Sequence, residues 1–157
     1  WIQEAICRSL DRIGRWAPTW LHSMVGVAAL VEKYGHLLTI QRADGRGLAL
    51  PGGLLHWRES VEDGIFREVL EETGLAVEPG NLFKVRSEPE RDDRIGAVSI
   101  IHLARIVGGH QRDSGEGQVY WMKLSQPIPR MAFHDDVVVR QFLRYRKSIR
   151  DRRHYEF

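Results

Sequence analysis

From His22 to Val31 the run HSMVGVAALV is almost wholly apolar, and it predicts a buried strand with His36 to Arg42 as its partner across a turn at Tyr34-Gly35. A short loop, Ala43 to Gly47, leads into the apolar stretch Leu48 to Pro51 and then into Gly52 and Gly53, where the chain can turn sharply. The next pattern is helical. Val61, Ile65, Val69 and, at the edge, Leu70 recur at helical spacing over residues 61–73. Ser60 stands where a capping side chain belongs, Asp63 three residues on completes a capping box, and Gly74 supplies a left-handed stop. Beyond it, Leu75 to Val77 and Leu82 to Ser87 read as strand pieces on either side of Pro79-Gly80. Ala97 to Val107 reads as the clearest central strand, and Val119 to Leu124 as a later one. A last helix, about Asp135 to Arg150, is expected to bury Val138, Phe142, Leu143 and Tyr145.

The first 16 residues carry Ile2, Ile6, Leu10 and Ile13 on one helical face, with arginines mostly on the other, and Pro18 closes the segment. This predicts an N-terminal amphipathic helix, residues 1–20, packed on a main domain of residues 21–157 or on a second subunit. With Trp1, Trp16 and Trp20 as anchors the same helix suits a membrane surface, the less favoured alternative.

Composition narrows the picture without deciding it. A chain of 157 residues with 43% hydrophobic content is one globular domain by size. The net charge of +2 is too small to argue for nucleic acid. Cys7 stands alone, so no internal disulfide forms, and a reducing cytoplasm is the simplest compartment. The sequence shows no secretory signal and no apolar run long enough to span a bilayer. It opens on Trp1 rather than Met, which reads as a trimmed or processed chain. The histidines lack ligand spacing, which argues against zinc. Positive charge is densest from Arg140 to Arg153, where a solvated helix face competes with an anion-binding surface for RNA, polyphosphate or membrane.

The chemistry concentrates on the capped helix. Glu68, Glu71 and Glu72 are neighbours one turn apart, so their carboxylates crowd one edge and repel. A hard divalent cation with oxygen ligands relieves that repulsion, and Mg2+ is the economical choice, with Mn2+ as a substitute. A carbonyl freed in the turn at Gly52 offers a further oxygen.

Gly53, Glu59, Arg67, Glu68, Val69, Glu71, Glu72, Gly74 and Leu75 fill every specified position of a pattern of Gly, five residues, Glu, seven residues and Arg-Glu-apolar-x-Glu-Glu-x-Gly-apolar. In this the chain resembles the Nudix hydrolases. The resemblance implies an α/β (α+β) fold, the Nudix α/β/α sandwich with a mixed central sheet, and hydrolysis of a nucleoside diphosphate linked to another moiety. It implies Glu68 and Glu72 as principal metal ligands, with Glu71 direct or through water, the Gly52 carbonyl joining them, and Gly53, Glu59 and Arg67 supporting the box. Glu116, between Gly115 and Gly117, resembles the acid that precedes the corresponding strand in many members. It is the candidate outside the box for a carboxylate near the metal that takes a proton, with Glu68 or Glu71 as the candidates within the box and an ordinary turn acid as the other reading of Glu116. Gly64 departs from the alanine usual in the family.

The segment Ser87 to Arg94, with Val98-Ser99 beyond it, resembles a stretch of the ADP-ribose pyrophosphatase branch. Arg91 and Arg94 are therefore candidates to grip phosphate or ribose, unless Arg91 only pairs with Asp92 at the surface. Met131 to Asp135 resembles the "AFDH" segment of the same branch with acid and histidine transposed. Arg42 and Trp57 complete the substrate-side candidates. Trp57 either stacks on a base or, slightly preferred, packs back on the domain. The expected substrate is a small nucleotide such as ADP-ribose and the expected assembly a homodimer. The alternatives are a nucleoside triphosphate pyrophosphohydrolase of the house-cleaning kind and a non-catalytic nucleotide- or RNA-sensing domain.

Overall fold

The computed structural model describes residues 24–88 and 97–153, with residues 150–153 described by backbone alone. The expected N-terminal helix, residues 1–20, and both Arg91 and Arg94 lie outside the described residues. Strands β1 (Met24–Lys33) and β2 (His36–Arg42) form the expected hairpin around Tyr34-Gly35, both left-handed, at φ 51° and 77°. β3 (Leu48–Ala49) and β4 (Gly52–Leu54) follow, then α1 (Val61–Thr73), β5 (Leu75–Arg86), β6 (Ala97–Gly109), β7 (Gly117–Lys123), a short 3-10 turn (Ala132–His134) and α2 (Asp135–Arg153).

The sheet is mixed. β1 runs parallel to β6, with Met24 to Val31 opposite Ala97 to Ala104, and every other pairing among the described residues is antiparallel. The strand order is β3-β2-β1-β6-β5, with β4 added on β1 and β7 on β2. A parallel pair needs a long crossover, and α1 lies within it. β1 is buried on both faces, which is why its sequence is a continuous apolar run. Val27, Ala29 and Val31 pack with Ile65 and Val69 of α1, whereas Leu30 and Ile101 pack with Val138, Val139 and Phe142 of α2. The helices therefore cover opposite faces, and the fold is the expected α/β/α sandwich. Among the described residues no helix is long and apolar enough to cross a membrane.

Three expectations are corrected. The glycine turn is itself a strand, β4, paired antiparallel to Gly26–Ala28. The two strand pieces around Pro79-Gly80 are one strand, β5, with register shifts at Ala76/Val77, Pro79/Leu82 and Leu82/Lys84. Proline is tolerated there because, among the described residues, β5 ends the strand order and pairs on one side only. In α2 the buried apolar residues, among those whose side chains are described, are Val138, Val139 and Phe142, while Leu143 is half-buried and Tyr145 lies at the edge against Phe83.

Candidate active site

The site begins with how closely β4 must lie on β1. A Cβ on Gly52 would collide with the carbonyl of Val27, and a Cβ on Gly53 would overlap the Glu68 carboxylate, so only glycine lets this turn reach the helix acids. The helix starts as its capping sequence requires: Ser60 Oγ accepts from the Asp63 amide at 3.1 Å and donates to the Asp63 carboxylate at 2.7 Å. It ends at left-handed Gly74, whose amide bonds back to Leu70. Gly64 has a packing reason, because a Cβ there would press into the end of the Leu55 side chain.

Arg67 organises the acids. Its Nε and Nη2 donate to the two oxygens of Glu59 at 2.7 and 2.8 Å in a fork, Nη2 also reaches the Leu54 carbonyl at 3.1 Å, and Nη1 reaches Glu68 at 2.8 Å and Glu71 at 3.2 Å. The guanidinium beside it pulls the Glu59 carboxyl down to about 2, and Glu59 also accepts from the His56 amide at 2.8 Å. The carboxylates in turn push Arg67 upward.

Glu68 and Glu72 crowd one edge of α1 as their spacing requires, and they are only 3% and 4% exposed, turned toward β4. Glu72 Oε2 accepts the Gly52 amide at 2.9 Å. Burial raises Glu68, against the opposing pull of Arg67, and raises Glu72 well above the usual carboxylate range, with the charges of Glu116 and a neighbouring helix acid adding to both. Glu71 remains at the exposed rim.

Glu116 is thus brought within electrostatic reach of the helix acids from a separate loop. That loop is fixed by its backbone: the Glu116 carbonyl accepts from Ala43 at 2.9 Å, its amide donates to Ser114 Oγ at 3.2 Å, and the Arg112 amide donates to Thr73 at the helix end at 2.8 Å. Glu116, Gly52, Gly53 and Arg42 line a cavity of about 140 Å³ together with Phe133 and Asp135. Arg42 is held by Asp44, with Nε 3.0 Å and Nη2 2.5 Å from the carboxylate, and its guanidinium lies 5.1 Å from the centre of the Phe133 ring.

Trp57 does not pack back on the domain; it is 92% exposed in the loop beside left-handed Arg58. The basic run of α2 is partly consumed internally, since Arg140 pairs with Asp136 and Arg146 with Glu32. Asp135 and Arg86 were not read from the sequence as site residues. Asp135 is buried and accepts the Leu50 amide at 2.9 Å. Its signal was the Met131 to Asp135 segment; Arg86 had none.

Among the described residues no three His, Cys, Asp or Glu side chains stand in a ready metal-binding group, and Arg67 holds oxygens of Glu68 and Glu71. The donor chemistry nonetheless fits a hard divalent cation. Two buried carboxylates and a nearby third repel one another, all the donors are oxygen, and the absence of a side chain at Gly53 leaves the space that the Glu68 carboxylate occupies.

Residues 20–142 match the family model described as the NUDIX domain. The chain belongs to the Nudix family. A curated relative named ADP-ribose pyrophosphatase, from Methanocaldococcus jannaschii, is 32% identical over 135 residues, covering 82% of this chain and 78% of the relative. A protein named MutT-like, from Streptomyces ambofaciens, is 38% identical over 113 residues, 71% of each chain. Among solved structures, a MutT Nudix hydrolase from Burkholderia pseudomallei superposes with a TM-score of 0.67 at 26% identity, covering 76% of this chain and 97% of that one. An ADP-ribose pyrophosphatase from Streptococcus suis superposes with a TM-score of 0.62 at 25% identity, covering 71% and 82%. This Nudix chain is accordingly an enzyme, a hydrolase.

Proposed function

We propose that this Nudix hydrolase cleaves the diphosphate bond of a nucleoside diphosphate linked to another moiety, with an ADP-ribose-like substrate, and that it uses Mg2+. The observation that carries the reading is the gathering of Glu68, Glu72 and Glu116 beside Gly52 and Gly53, at a cavity that Arg42 also lines. The names of the M. jannaschii relative and the S. suis structure support the substrate class.

Glu68 and Glu72 would hold the cation, with Glu71, Glu116 and the Gly52 carbonyl as further donors. When bound, it supplies neutralisation of the phosphate oxygens, which otherwise screen phosphorus from attack, and activation of water. The protein does the rest. Arg67 fixes the carboxylates through its fork on Glu59, so they are oriented before substrate arrives. Glu116, on a glycine-flanked loop, is the group that takes the proton of the attacking water, and Arg42 offers positive charge on the cavity side. Arg91 and Arg94 belong to the same proposal as grips for the second phosphate or sugar.

A panel of diphosphate compounds, assayed with Mg2+ and Mn2+ and with phosphate products separated by ion exchange, tests the reading. AMP with ribose phosphate from ADP-ribose supports it. Pyrophosphate released from a nucleoside triphosphate replaces it with the house-cleaning activity, a reading that the similarity to the MutT-like protein keeps in view. Tight binding without cleavage replaces it with a sensing role.

A further inference from the structure

We propose that Arg86 is a positioning residue for the substrate side of this site, acting through the turn Phe133 to Asp135; the proposal rests on reading the cavity as the diphosphate site. Arg86 is 3% exposed at the end of β5, and a guanidinium is kept in such a place only when it is thoroughly paired. Its Nη1 donates to two successive carbonyls, Phe133 and His134, each at 3.1 Å, and lies 3.9 Å from the Asp135 carboxylate, while Nε donates to Glu88 at 3.1 Å.

Those two carbonyls belong to an unusual turn. Phe133 and His134 both have φ near 55°, a left-handed conformation that non-glycine residues adopt reluctantly and rarely twice in succession. Such a turn persists where its surroundings hold it, and Arg86 grips it from beneath.

The turn reaches the site in two ways. Phe133 lines the cavity with its ring under the Arg42 guanidinium. Asp135 accepts the amide of Leu50, two residues before Gly52, whose own amide holds Glu72. One buried cation therefore sets both a wall of the cavity and the entry of the chain into the glycine turn. Arg86 is not among the residues lining the cavity, so it acts through its neighbours.

Kinetics and amide exchange on three variants test this. In Arg86→Lys we expect KM for the diphosphate substrate to rise about tenfold or more while kcat stays within about threefold. Adding His134→Gly, at an exposed position where glycine adopts the left-handed conformation without steric cost, should recover much of that rise. Without substrate, exchange at the Leu50 amide should quicken about tenfold in Arg86→Lys while core amides such as Val31 stay protected. Unchanged KM and unchanged Leu50 exchange, or a uniform rise in exchange across the core, would overturn the proposal. Should Arg86→Lys not fold, Glu88→Ala removes one orienting bond from the exposed side and should raise KM about threefold; no change in KM or Leu50 exchange there overturns it equally. If the wild-type protein cleaves no diphosphate, the substrate reading fails, and Leu50 exchange still decides whether Arg86 holds the turn.

Discussion

Glu59→Gln removes the charge from the Arg67 fork and leaves one accepting oxygen where there were two, at nearly unchanged volume, so it weakens the support beneath the helix acids without opening a cavity. In the folded chain Glu59 titrates at about 2 rather than its ordinary 4.5, because the Arg67 guanidinium binds both its oxygens. A folded-state value below the unfolded one means that stability is present above pH 4.5 and is lost as pH falls toward 2. Taken in full, that difference corresponds to ~3 kcal/mol. The side chains are 19% and 13% exposed, so water screens the pair, and about 1.5 kcal/mol is the expectation, or roughly 3–6 °C in Tm. Urea unfolding of both proteins from pH 7 to pH 3 measures it. The wild-type advantage should be flat near neutrality and fall by about half between pH 5 and pH 3. An advantage that does not change with pH, or no advantage at neutral pH, would refute the assignment of the fork as the source of stability.

The remaining predictions concern burial and close approach. Glu72→Gln should stabilise the protein by about 1–2 kcal/mol without divalent cation, since it removes a buried charge and keeps an acceptor for Gly52, yet lower turnover at least 100-fold; thermal melts and assays on the same sample decide. Gly53→Ala should leave the fold intact and displace the Glu68 carboxylate, lowering activity about tenfold or more, with isothermal titration of Mn2+ showing the same loss of metal affinity. Phe142→Ala should cost about 3–5 kcal/mol in urea unfolding, because its ring is buried between the sheet and α2 and meets Phe83 edge-on. A chelator should lower Tm in wild type but not in Glu72→Gln, since a cation that binds only the folded chain stabilises it by mass action.

Local chemistry was legible in the sequence. The bounds of α1 follow from Ser60, Asp63 and Gly74, because caps are satisfied within a turn of the residues that need them. The hairpin at Tyr34-Gly35 and the continuous apolar run of β1 are equally local, and so is the spacing of Glu68, Glu71 and Glu72. Tertiary structure decided what those acids face. Helical spacing fixes that they are neighbours, but whether their edge looks to water depends on β4 lying across it, and β4 is there because Gly52 and Gly53 admit a neighbouring backbone and a carboxylate. The continuity of β5 through Pro79 depended on its place at the end of the sheet, which a one-dimensional pattern does not contain. Arg86 and Asp135 lie 49 positions apart in sequence, and Leu50 lies 85 from Asp135, and no periodicity links them. Short-range hydrogen bonding and sterics write themselves into neighbouring residues, whereas the burial of a charge depends on which distant segment arrives to cover it.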